Sequence, residues 1–151
     1  MDVKKKKKHT VLMTGPITPD FISNSIAKHS TKTDIGAHAI FLGQVRKDEN
    51  NNTVVASIEY SAYKEMAEKI FDTIREDAFK KFDMVCMHMH HSLGLIKAGE
   101  ISLFVFVSCK HRAQSFEAVE WIVNEIKQKA PVWKKENYED GQYSWIGSES
   151  I

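Results

Sequence analysis

The spacing of apolar positions changes several times along the chain, and each change marks an element. From Ala62 to Phe82, the residues Met66, Ala67, Ile70, Phe71, Ile74, Ala78 and Phe82 recur at helical spacing, which predicts a long amphipathic helix. A second stripe, Phe116, Val119, Ile122, Val123, Ile126 and Ala130, predicts a helix from about Ser115 to Ala130. Pro131 ends it, since proline cannot continue a helix and pushes Ala130 out of the α region. Thr18-Pro19-Asp20 reads as the start of a shorter helix with Phe21, Ile22 and Ile26 on its apolar side. Gly36 to Arg46 and Thr53 to Tyr60 are β-rich, and the polar loop Lys47 to Asn52 between them suits an antiparallel hairpin. Met84 to His91 and Ile101 to Cys109 read as two more strands joined by a loop holding Gly94 and Gly99, the second strand fully buried. Val132 to Tyr138 and Tyr143 to Ile146 flank Glu139-Asp140-Gly141-Gln142, a closing hairpin with Asp-Gly at its turn. The sum is an α+β fold of paired antiparallel strands, with helices covering one face and a β-hairpin at the C-terminus.

Composition narrows the class. With 151 residues, 42% hydrophobic and 27% charged, the chain can bury a proper core as one domain, placed at residues 10–151. The preceding residues 1–9 hold the run Lys4 to Lys8, a block of like charges that reads as a solvated, disordered tail. Twenty-one lysines and arginines almost balance 20 aspartates and glutamates, so no global field recruits nucleic acid or an anionic membrane, and any basic site is local. Val11-Leu12-Met13 is too short for a signal peptide and no run spans a bilayer, so the expectation is a cytoplasmic protein. Cys86 and Cys109 lie in apolar strand-like runs without CxxC spacing, as packed, reduced thiols do.

The candidate chemistry gathers where the last helix stops. Lys127 sits in its final turn, and Lys134 and Lys135 lie on the extended segment beyond Pro131, so the turn can bring the ammonium groups together. Like charges held close lower one another's pKa and suit an anionic substrate. On spacing alone the simpler account is structural, because lysines in a last turn also complement the helix dipole. Lys127 does border the apolar stripe, so its stem can follow the core edge into a pocket. Trp121 falls among polar positions, either resting on neighbouring chain or anchoring an interface. Two rival readings come from other residues. Phe104 and Phe106 are stacking platforms in a nucleic-acid-binding α+β module, although their apolar run reads as core. His88 and His90 point to one strand face and, with His91, are candidate metal ligands, although paired strand histidines are more often packed or surface residues.

The segments GAHAIFLGQVR, IEYSAYKEMAE, Gly99-Glu100, His111-Arg112 and IKQKAPVWKKE together resemble the large, catalytic subunit of molybdopterin synthase, over about residues 10 to 146 and in that family's order. The run K-x-x-x-P-x-W-K-K-E is the most specific part. One departure is His91-Ser92, where the family often has His-Arg, and it weakens any catalytic claim on His91. The resemblance implies a hammerhead-like fold and a sulfurtransferase of molybdenum cofactor biosynthesis without metal or cofactor. Such enzymes add two sulfurs to cyclic pyranopterin monophosphate. The sulfur arrives on the C-terminal glycine thiocarboxylate of a small ubiquitin-like subunit, within a heterotetramer built on a dimer of the large chain. Carried onto this sequence, Lys127 is the central catalytic residue with Lys134 in support. Arg46, His111 and Arg112 bind the pterin and its phosphate, while Lys134, Lys135 and Glu136 line the same pocket.

Overall fold

The computed structural model of the protein describes residues 10–50 and 52–146, so the lysine run falls outside the described residues. In chain order the elements are β1 (Leu12–Thr14), α1 (Pro19–Lys28), β2 (Ala37–Gln44), β3 (Glu49–Asn50), β4 (Thr53–Ala62) and α2 (Lys64–Lys81). They continue with β5 (Cys86–Lys97), β6 (Ile101–Cys109), α3 (Arg112–Lys129), β7 (Val132–Tyr138) and β8 (Tyr143–Ile146). The main strand order is β2-β6-β5-β4-β7-β8, with β1 beside β5 and β3 beside β4. All of these pairs are antiparallel except β1 with β5. The α+β class with antiparallel pairing and a C-terminal hairpin is the one expected.

The sheet is organised by β6, which has apolar residues on both faces and therefore needs cover on both. Leu103, Val105, Val107 and Cys109 point to the face covered by α2 and α3, where Phe71, Ile74, Ile122 and Ile126 close the main core. Phe104 and Phe106 point the other way, against Ile17, Phe21 and Ile22. Helix cover is thus divided, with α1 on the face opposite α2 and α3. Thr18 caps α1, its Oγ1 accepting from the Phe21 N–H at 3.2 Å, with Pro19 in the first turn.

The pairing differs from expectation in two places. The hairpin expected between β2 and β4 does not form: β2 pairs β6, while β4 pairs β5 and β7. A buried β6 leaves no water for the backbone groups along its edges, so both edges need strand partners, and β2 supplies one of them. The intervening loop instead folds back on β4 as the short β3, with Asn52 at a left-handed φ of 66°. Nor does the strand that begins at Cys86 stop at His91. It runs to Lys97, bending at Gly94, whose φ of +87° only glycine adopts easily. Its first half pairs β6 and its second half pairs β4, so one strand joins the two parts of the sheet. The helical stripes are also turned slightly, since Met66 and Phe116 are exposed while Ser115 and Ala118 are buried. Trp121 rests on neighbouring chain, edge-on to Phe82 with ring centroids 5.9 Å apart.

Candidate functional site

The ends of β2 and α3, with β4 and β7 between them, build one pocket. Ala130, at φ −68° and ψ 123°, takes the chain out of α3 and into β7, which returns alongside β4. The register places Lys134 opposite Tyr60 and Glu136 opposite Ile58. Side chains alternate along a strand, so Val132, Lys134 and Glu136 share the face that Tyr60 and Ile58 present, and Lys127 reaches the same space from the helix. The pocket they enclose has a volume of about 590 Å³ and is lined in part by Arg46, Tyr60, Lys127, Lys134 and Glu136. A smaller recess beneath it is lined by His91, Leu103, Lys127 and Lys134 among others.

Electrostatics single out the lysine pair. Burial, and then the neighbouring Lys134 ammonium, pull the Lys127 pKa from 10.5 down to about 8. Burial lowers Lys134 as well, but its hydrogen bond with Lys127 and the charge of Glu136 oppose the change. Of the two, Lys127 gives up its proton the more easily, and once it has, the Lys134 ammonium can donate to the free amine of Lys127. Below them, the His91 Nδ1–H donates to the Ser92 carbonyl at 2.8 Å. Burial above all, with the two lysine charges adding to it, pushes His91 down to about 4, so its ring is neutral. The Tyr60 hydroxyl meets Ser102 Oγ at 3.0 Å, and burial raises its pKa. The result is a base near neutral pH, held beside a fixed cation over a neutral floor.

The expected site residues divide into those the pocket holds and those it does not. Arg46 stands on the rim, exposed and paired with Asp48 at 3.3 Å. Lys135 does not line the pocket. Strand alternation turns it to the opposite face of β7, where its Nζ lies 4.3 Å from the Tyr143 ring centroid. His111 and Arg112 are also elsewhere, exposed at the start of α3. Fifteen residues at 1.5 Å rise separate Arg112 from Lys127, so about 22 Å of rigid helix keeps them apart within one chain. Tyr60 was not among the expected site residues, and the floor residue His91 was weighed only as a metal ligand and as a weakened catalytic candidate. Tyr60 enters through its register with β7, and His91 through its place between β1 and β6, which no local pattern reveals.

The rival sites come apart. Phe104 and Phe106 are fully buried, which removes them as stacking platforms for a nucleic acid. The three strand histidines do not converge: His90 stacks on Phe104, His91 faces the lysines, and His88 lies beside His29. Among the described residues, no helix is long and apolar enough to cross a membrane.

A family model described as MoaE protein matches residues 15–129. The molybdopterin synthase catalytic subunit of Pyrococcus abyssi is 42% identical over 83% of this chain and 82% of its own. Its counterpart in a Nostoc species is 36% identical, covering 74% of this chain and 67% of its own. Molybdopterin synthase from Staphylococcus aureus superposes with a TM-score of 0.80 at 28% identity, covering 91% of this chain and 96% of that one. The Helicobacter pylori complex of subunits 1 and 2 of molybdopterin-converting factor contains a chain of the same fold, with a TM-score of 0.76 at 21% identity, 91% of this chain and 89% of that one being covered.

Proposed function

The chain belongs to the MoaE protein family, that of the catalytic subunits of molybdopterin synthase in molybdenum cofactor biosynthesis, and on that premise we propose that the Lys127 pocket transfers sulfur. The donor is the C-terminal glycine thiocarboxylate of a small ubiquitin-like subunit, and the acceptor is cyclic pyranopterin monophosphate in the cytosol. In each transfer the thiocarboxylate sulfur displaces an oxygen group from a carbon of the pterin side chain, and water then cleaves the acyl–sulfur bond, leaving the thiolate on the pterin and a carboxylate on the donor. The observation that carries this reading is the hydrogen-bonded pair Lys127 and Lys134, with Lys127 brought to about 8. A free amine at Lys127 accepts a proton near neutral pH, while the Lys134 ammonium attracts the thiocarboxylate. Arg46 at the rim suits a phosphate, for which a guanidinium fork is well shaped.

The requirement for His111 and Arg112 is met in a dimer, the second copy bringing the start of its α3 to this pocket. Phe116 supports that arrangement. It lies one turn beyond Arg112 on the same side of the helix and is 63% exposed, an apolar surface without cover in the single chain. A small subunit on each pocket then gives a heterotetramer.

The test incubates the pure chain with a thiocarboxylated partner and the cyclic precursor, and follows the dithiolene product. No product with an authentic partner overturns the reading. Mixing Lys127→Ala and Arg112→Ala chains, each impaired alone at sub-saturating precursor, tests the dimeric site, since hybrid dimers regain one intact pocket. No recovery in verified hybrids removes the second copy from the site.

A further inference from the structure

On the opposite face of the sheet from Lys127, we propose that His29, Cys86 and His88 form a binding site for one zinc-class divalent cation that pins α1 to β5. Helix α1 has no fully buried residue of its own, yet His29 at its C-cap is buried. Its ring reaches across to β5, where Cys86 and His88 are two residues apart and so share a face. His29 Nε2 lies 3.0 Å from His88 Nε2, and the three potential ligand atoms all fall within 4.8 Å of one another. Tetrahedral zinc, with bonds of about 2.0–2.1 Å to nitrogen and about 2.3 Å to sulfur, sets two nitrogens and one sulfur roughly 3.3–3.6 Å apart. Small side-chain movements therefore close the set around an ion.

The surroundings fit a soft cation. His29 Nδ1 lies 2.7 Å from the Ser25 carbonyl, which can only accept, so Nδ1 carries the proton and the Nε2 lone pair points at His88. An imidazole fixed by a backbone carbonyl on its far nitrogen is the usual support of a metal-bound histidine. Phe106 walls the cluster, its ring centroid 4.8 Å from that of His29. One position beside the sulfur already holds a cation: Lys32, on an exposed loop, donates from Nζ to Cys86 Sγ at 2.8 Å. An entering metal takes that place. The Lys32 ammonium swings to solvent, the Cys86 thiol releases its proton to water, and His88 shifts its ring proton from Nε2 to Nδ1 by exchange with water, staying a neutral imidazole. Two imidazoles and a thiolate favour zinc or cobalt over magnesium or calcium, with water completing the coordination. This places the ion in a structural role, remote from the lysine pocket.

Cobalt(II) is the probe. Titrated into the tag-free, reduced, chelator-treated chain, it should give an equimolar thiolate-to-cobalt band in the near ultraviolet and tetrahedral bands in the visible, both abolished by added zinc. Cys86→Ser should remove the near-ultraviolet band, while His29→Ala and His88→Ala should weaken binding at least tenfold. Lys32→Ala should bind as well or better, because nothing has to be displaced. His90→Ala, whose ring packs on Phe104, should leave the spectrum unchanged. Zinc should raise the melting temperature of the unaltered chain and not that of Cys86→Ser. The proposal is overturned if excess cobalt gives no thiolate band, or if the band survives Cys86→Ser. Should the histidine variants fail to fold, the Cys86→Ser and Lys32→Ala titrations still decide the matter.

Discussion

Helix α3 carries Arg112 in its first turn and Lys127 in its last, and the two ends treat a cation in opposite ways. The helix dipole places partial positive charge at the N-terminus, so Arg112 gains nothing from its helix and remains in solvent. At the C-terminus the same dipole favours Lys127, by about 0.3–1 kcal/mol. Lys127 is nevertheless lowered from 10.5 to about 8. That displacement corresponds to roughly 3 kcal/mol before solvent screening, and even half of it exceeds the dipole contribution. Burial and Lys134 therefore win. A lysine placed only to cap the helix would be raised, so its depression marks a site. On the proposed function, the exposed Arg112 acts only when a second copy docks its helix against the pocket.

The most damaging way to break this contrast is at the buried end. Lys127→Ala should lower turnover by about 100-fold or more, as loss of a positioned proton-transfer group does. It should leave folding intact, because the burial penalty on the ammonium makes Lys127 no asset below pH 8. That penalty eases as pH rises from about 8 toward 10.5, so the unaltered chain should gain stability over the same window, seen as a rising melting temperature that Lys127→Met lacks. Near-normal turnover in Lys127→Ala would remove its role.

At the exposed end the loss should appear in binding instead. Arg112→Ala should weaken precursor affinity by roughly 1.5–3 kcal/mol, the value of a charged hydrogen bond. Calorimetry on the assembled enzyme reads this directly, and unchanged affinity with lost turnover would move Arg112 to transition-state stabilisation. Lys134→Ala should fall below both, with turnover down about tenfold, less than the roughly 100-fold or more that a group transferring the proton itself supplies. Equal, complete loss in the Lys127 and Lys134 variants would end their division of labour. The smallest effect belongs to Lys135→Ala. Facing away from the pocket, it should keep turnover within about twofold, as surface substitutions do. A loss as deep as that of Lys134→Ala would put Lys135 back into the chemistry.

Much of this arrangement is legible in the residues. The stripes of α2 and α3 announce themselves by period, and β6 by an apolar run with no polar face. The Lys127 pocket follows from a helix ended by Pro131 and a strand that returns. Two separations within the single chain were also within reach: period-two alternation turns Lys135 away from Lys134, and helical rise keeps Arg112 far from Lys127. Other features were not. β1 is three residues long, too short for a pattern to form. Strand partners are chosen by distant burial, so a loop of suitable length between β2 and β4 led to the wrong pair. His29 meets Cys86 and His88 across 57 residues or more of intervening chain order, and only the folded sheet brings them together.

The pH dependence of sulfur transfer, followed in single turnovers with saturating thiocarboxylated partner and precursor, tests the central claim most directly. If the free amine of Lys127 does the work, the rate should rise with pH and level off above about 8. Lys134→Ala removes the neighbouring charge that lowers Lys127, so its slower reaction should level off at higher pH. A rate flat from pH 7 to about 9, or a limb that Lys134→Ala leaves in place, would contradict the account.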